Sequence, residues 1–302
     1  MIPRANLTTM DIAIGIKLDI GFATELSYRQ LFGTRNIPEY LAELGLETVE
    51  TPVGPGTNSK VLAEHVAHCR DAGLNISLHP YSERTDANPA FFSPAADNAC
   101  RSFHQRFLSL AAEISSQQQA PIIVNIHAAA GTTDDSRRDL IDQSVAFFSW
   151  AHQWCRRNAP LVHPVAELQI SPNPDESIQR IGDTYDELLE IVTRSQVQAC
   201  WDFGHAFMNQ QRYGGQLFPP EEFLQRVGHV HCHDVCGDDH HPLVYETVPW
   251  RKFIRLLIES GYDKGIILEV FPENFLAAGG IQSLFRSLEA LNTQIRQRKL
   301  ST

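Results

Sequence analysis

The chain has 302 residues, 43% of them hydrophobic, enough to bury a sizeable core as one large α/β domain or two small ones. Its 36 acidic residues outnumber 25 basic ones, and the net charge of −11 is spread along the chain, which disfavours a general nucleic-acid or membrane-surface binder. Charged residues at 20% argue against disorder, and the longest apolar runs, such as GIILEVF, are far too short to span a bilayer.

The opening MIPRANLTTMDIAIG carries no apolar leader core, and the six cysteines lack paired spacing. Cys232 and Cys236 come closest to a pair, but a zinc ribbon would need a second one. Reduced thiols and a cytoplasmic location are the expectation. In chain order, strands are predicted at 12–18 (IAIGIKL), 46–50 (LETVE), 74–79 (LNISLH), 121–127 (PIIVNIH), 161–168 (LVHPVAEL), 197–203 (VQACWDF), 228–233 (GHVHCH) and 265–271 (GIILEVF). Amphipathic helices are predicted at 38–44, 58–72, 95–118, 136–157, 183–194, 220–226, 249–260 and 281–297. Eight strands alternating with eight helices over this length predict a (β/α)8 TIM barrel filling residues 1–302 as a single domain. A doubly wound open sheet would place a glycine-rich phosphate loop after its first strand, and none is there.

A TIM barrel builds its active site at the C-terminal ends of the strands. Those ends carry His79, His127, Glu167, Asp202 with His205, His231 with the later Asp238 and His240, and Glu269. One strand-end histidine has a structural explanation; six consecutive strands do not, because carboxylates crowded into one mouth repel and resist desolvation. A cation resolves that conflict, and mixed His/Asp/Glu donors suit zinc or manganese, or ferrous iron. Asp19 and Glu50, ending the first two strands, are candidate substrate contacts.

Residues 228–241, GHVHCHDVCGDDHH, hold five of the 13 histidines. His229, His231 and His233 share one face of a strand. His231 lies at ligand depth, His229 deeper, and Asp234 is positioned to orient an imidazole. Asp238 and His240 are expected to return over the mouth.

The motifs ISLHPY, VNIHAAAG, WDFGHAF, HVHCHD with DDHHPL, and IILEVF resemble the xylose isomerase-like TIM barrels, over about residues 12–290. That superfamily joins sugar isomerases and epimerases with endonuclease IV. The sugar branch implies one divalent ion, zinc or manganese, on Glu167, Asp202, His231 and Glu269. The endonuclease IV branch implies three zinc ions on those four together with His79, His127, His205, Asp238 and His240, and cleavage of abasic DNA or another phosphoester. The sequence departs from that branch after the fifth strand (AELQISPNP), after the third (HPYSERTDANPAFF), and at Val244, Tyr245 and Glu246. Few cations line the predicted mouth: Lys17, Arg84 and Arg212.

The expectation is therefore an isomerase or epimerase of a small sugar or sugar phosphate, with one ion and ligands for up to three. The reaction would be proton transfer through an enediolate held at the metal. Glu167 and Glu269 would move the proton, His205 would steady the oxygen, and Glu50, Arg84 and Arg212 would bind substrate. Neither nucleic acid nor membrane is an expected partner, and the sequence does not speak to oligomeric state. A catalytically idle sugar sensor is the third possibility, against which the intact ligand set argues.

Overall fold

The computed structural model describes residues 12–95 and 97–296, so most of the N-terminal stretch read for a leader, and the last residue of the predicted 281–297 helix, lie outside the described residues. Eight parallel strands close into a barrel: β1 Ile14–Lys17, β2 Thr48–Val53, β3 Asn75–Pro80, β4 Ile122–Ile126, β5 Val162–Glu167, β6 Gln198–Asp202, β7 Val227–Cys232 and β8 Ile266–Leu268. Each pairs with its sequence neighbours, and β1 joins β8 through Ile14 opposite Ile266. The fold is the predicted TIM barrel, and every predicted strand is present. They form because short β-branched and apolar runs are buried on both faces, one against the barrel interior and one against the helical shell.

The shell is anchored by large aromatics. Trp201, fully buried on the outer side of β6, packs against Phe203 at 4.8 Å and Phe253 at 5.0 Å between ring centroids. The eight predicted helices are present, the shortest reduced to Glu221–Leu224. Among the described residues, three further α-helices were not predicted: Leu26–Phe32, Phe203–Tyr213 and Pro272–Ala277. Two short antiparallel strand pairs cap the C-terminal end: Ala130–Thr132 with the sequence-distant Ile178–Arg180, and the hairpin of Asp234–Cys236 with Asp238–His241. Among the described residues no helix is long and apolar enough to cross a membrane, and no two cysteines are joined.

Candidate metal centre

The strand ends bring Glu167, Asp202, His231 and Glu269 together. One donor atom from each lies within 4.8 Å of the other three, and all four side chains are buried. Register makes this possible: Asp202 on β6 sits beside His231 on β7, and Glu269 follows β8, whose Ile267 is level with His231. His231 Nδ1 lies 2.7 Å from Glu269 Oε2, 3.7 Å from Asp202 Oδ2 and 3.9 Å from Glu167 Oε2.

The donor set fits a divalent cation. Asp202 Oδ2, His231 Nδ1 and Glu269 Oε2 are buried without a directed hydrogen bond, the 2.7 Å approach of His231 Nδ1 to Glu269 Oε2 included, which is costly unless something else satisfies them. Donors to one zinc ion sit ~2.0–2.2 Å from it and so within ~4.4 Å of one another, and the 2.7–3.9 Å contacts of His231 with the three carboxylates fall inside that limit.

Each donor is held from behind. The far nitrogen of His231, Nε2, lies 2.5 Å from Glu50 Oε1, which leaves Nδ1 free for the ion. Glu50 Oε2 is engaged in turn by His229 Nε2 at 2.7 Å and by the Ser77 hydroxyl at 3.1 Å. Burial alone would raise the Glu50 carboxyl, but the His231 and His229 imidazoles outweigh it and hold the group far below the carboxylate range. Asn125 donates to Glu167 Oε2 at 2.5 Å, and Tyr81 donates to Glu269 Oε1 at 3.2 Å. Asp202 also caps the helix Phe203–Tyr213, its Oδ1 accepting the His205 N–H at 2.7 Å.

The remaining predicted residues divide. His79 and His127 flank Glu167, with Nε2 atoms 3.1 and 3.4 Å from Oε2. His79 donates from Nδ1 to the Asn125 carbonyl at 2.9 Å, and His205 from Nδ1 to the Leu168 carbonyl at 3.0 Å, so both present Nε2 to the mouth. Burial would lower the His205 imidazole, but Asp202 and then Glu167 raise it to about 9. His205, His233 and His240 form a second group with ligating atoms in range of one another, and His240 Nε2 reaches 3.5 Å from Glu269 Oε2.

Five expectations are corrected. Asp238 does not join the site: its side chain is 78% exposed and turns to His241 at 2.5 Å. Its neighbour Asp239 faces inward instead, 2.9 Å from His240 Nδ1 and 3.9 Å from His205 Nε2. The reason is local backbone geometry, because His240 adopts φ 59° and breaks the alternation that would have paired Asp238 with His240. Glu50, expected to bind substrate, lies beneath the mouth at 1% exposure with both oxygens engaged. Arg84, 77% exposed and 3.9 Å from Glu83, stands on an outer loop. Arg212 donates to the Ser171 carbonyl and ties helix Phe203–Tyr213 to the segment after β5. Asp234, expected to orient an imidazole, instead accepts three backbone N–H groups through Oδ1, from Val235, Thr247 and Val248.

Asn125, Tyr81 and Asp239 were missed, and His233 was not assigned as a ligand. A period-two rule finds three of them: Asn125 is two before His127, Tyr81 two after His79, and His233 two after His231.

No curated protein matches this sequence significantly. Among solved structures, a D-tagatose 3-epimerase-like protein superposes with a TM-score of 0.63 at 19% identity, over 96% of this chain and 99% of that one. The D-psicose 3-epimerase of Clostridium cellulolyticum H10, solved with D-tagatose, gives 0.59 at 14% identity, over 94% and 98%. A xylose isomerase domain protein of Alicyclobacillus acidocaldarius gives 0.60 at 17%, over 95% and 100%. At these identities the likeness establishes the fold. The family model for the xylose isomerase-like TIM barrel matches residues 38–291, and the chain belongs to that family.

Proposed function

We propose that the protein is a divalent-metal-dependent isomerase or epimerase of a small sugar or sugar phosphate, with zinc or manganese as its ion. The observation that carries this reading is the convergence of two buried glutamates with an aspartate and a histidine whose inward atoms lack hydrogen-bond partners. The epimerase neighbours are consistent with it.

When bound, the ion would polarise the carbonyl and adjacent hydroxyl of the sugar and so acidify the C–H between them. Glu167 and Glu269 arrive on β5 and just beyond β8, with two strands between them, so they address a bound sugar from different sides. Burial would raise both carboxyls. The His127, His79 and His231 rings around Glu167, and the His231 and His240 rings around Glu269, outweigh it and keep both well below the carboxylate range. Both are therefore ionised at rest and able to accept a proton from carbon, one removing it and the other returning it. The Tyr81 hydroxyl holds Oε1 of Glu269 and fixes which oxygen faces inward. His205 would hold the oxygen that gains charge, and His79 and His127 would grip substrate hydroxyls.

The test is solvent deuterium incorporation into a ketose at the carbon beside the carbonyl, with metal content measured on the same preparation. About one ion per chain, exchange abolished by chelation, and loss of exchange in both Glu167→Gln and Glu269→Gln are the expected results. Exchange in Glu269→Gln within tenfold of the parent would remove the assignment.

A three-ion phosphodiesterase is the second reading, and one observation favours it. Two further ligating groups adjoin the quartet, His79 with Glu167 and His231, and His205 with His233 and His240. About three ions per chain, with zinc-dependent incision of abasic DNA, would establish it instead.

A further inference from the structure

The cation at the end of β1 takes part in none of the interactions described so far. Lys17 is only 8% exposed. It stands in register with Glu50 on β2, and Glu269 lies one residue past the Ile16–Leu268 pair on its other side. Its Nζ lies 3.9 Å from the centroid of the Phe271 ring, and the other side of that contact chain runs from Phe271 to the His240 ring at 4.6 Å. Among the described residues no carboxylate lies within ion-pair distance of Nζ, and no hydrogen bond to it is formed.

The nearby carboxylates have other partners. Glu50 is shared by two imidazoles and a serine, Glu269 by Tyr81, His231 and His240, and Asp19 accepts the Tyr28 hydroxyl at 2.8 Å. A cation–π contact offsets only part of the cost of taking an ammonium out of water. The other cations near the mouth are committed or remote: Arg180 pairs with Glu83 at 2.8 Å and Arg84 is exposed. Lys17 is thus a buried cation on the β1–β8 side of the quartet, with no carboxylate among the described residues within ion-pair distance; Glu25, whose carboxyl feels the Lys17 charge, stays beyond it.

We propose that Lys17 is the substrate's anion subsite, so that the preferred substrate is a sugar carrying a phosphate or carboxylate group rather than a neutral sugar. This rests on the sugar reading above. The ion would hold one end of the substrate and Lys17 the charged end, with Phe271 forming the wall between them.

The test is calorimetric binding to the metal-loaded protein of three probes: D-fructose, D-fructose 6-phosphate and 5-keto-D-gluconate. The parent should bind one of the charged probes at least tenfold more tightly than fructose, and which one it is separates phosphate from carboxylate. Lys17→Met should reduce that ratio at least tenfold, and Lys17→Arg should keep most of it. Should Lys17→Met not fold, Lys17→Gln serves, and the parent ratio and its fall with added salt remain a test on their own. Fructose binding with no preference for the charged probes, or a preference that Lys17→Met leaves intact, overturns the Lys17 assignment alone. Failure of all three probes to bind removes the sugar reading and the subsite with it.

Discussion

In the proposed metal centre, Glu50 would act without touching the ion. Its carboxylate sits under His231 and sets which ring nitrogen is left for coordination. Glu50→Gln keeps the shape but removes the charge, and an amide cannot accept from His229 and His231 together. Zinc affinity should fall about 10–100-fold, read by competition with a chelator; an affinity within twofold of the parent would show that Glu50 is only filling space. The aspartates after β7 make a sharper pair. Asp239→Asn should weaken any ion held by His205 and His240 and raise the Michaelis constant several-fold, whereas Asp238→Asn should be silent in both metal content and turnover, because its carboxylate lies in solvent beside His241. The opposite pattern would return Asp238 to the mouth, where the sequence places it. Gly204 explains why Asp202-Phe203-Gly204-His205 tolerates no larger third residue: a Cβ there would fall 1.9 Å from the His233 ring. The glycine is legible as a motif letter, but the imidazole that demands it comes from another strand and is invisible locally.

At the scale of elements, the strands were legible because burial on both faces leaves continuous apolar runs, with a polar residue at or within a few residues of each C-terminal end. Helix Phe203–Tyr213 was not, since it begins on the residue after β6 with no intervening loop, and its cap is the proposed ligand Asp202 itself. The motif that signals chemistry there hides the helix start. The hairpin Asp234–His241 was missed for another reason, its turn resting on Gly237 and the positive φ of His240 rather than on a run of strand formers. One buried histidine away from the site gives a stability prediction. His104, on helix Ala99–Gln118, is fully buried, donates from Nε2 to the Ala87 carbonyl at 3.2 Å, and is surrounded by Phe103 and Phe147. Burial depresses it from 6.5 to about 3 despite that hydrogen bond. Above pH 6.5 the imidazole is neutral in both states and costs nothing. As pH falls from 6.5 towards 3 the unfolded chain takes up a proton that the folded chain refuses, so stability is lost at ~1.4 kcal/mol per unit. Between pH 7.5 and 5 the parent should lose ~2 kcal/mol more than His104→Gln in urea unfolding. Equal losses would show that His104 is protonated within the fold.

Charge decides the partner at the scale of the whole molecule. A duplex-binding protein surrounds its groove with several cations, each phosphate contact steepening the salt dependence of binding. Here the net charge is −11, the carboxylates of the mouth are Glu167, Asp202, Asp239 and Glu269, Arg180 is neutralised by Glu83, and Lys17 is too deep to reach a backbone phosphate on the surface. A divalent ion held by the four buried groups would cancel only part of that field. The family fold accommodates both chemistries, so the decision falls to this electrostatic surface and to the number of ions. His127→Ala reads both at once. It removes an imidazole 3.4 Å from Glu167 but outside the quartet. In a one-ion isomerase the variant should keep about one ion per chain, with a raised Michaelis constant and turnover within about tenfold, because only a grip on substrate is lost. In a three-ion hydrolase it should shed an ion and lose the chemical step, since the leaving-group charge depends on the intact cluster. The parent should in addition bind abasic duplex no better than intact duplex at moderate salt. A preference for the abasic duplex, together with an ion lost from His127→Ala, would transfer this barrel from sugars to nucleic acid.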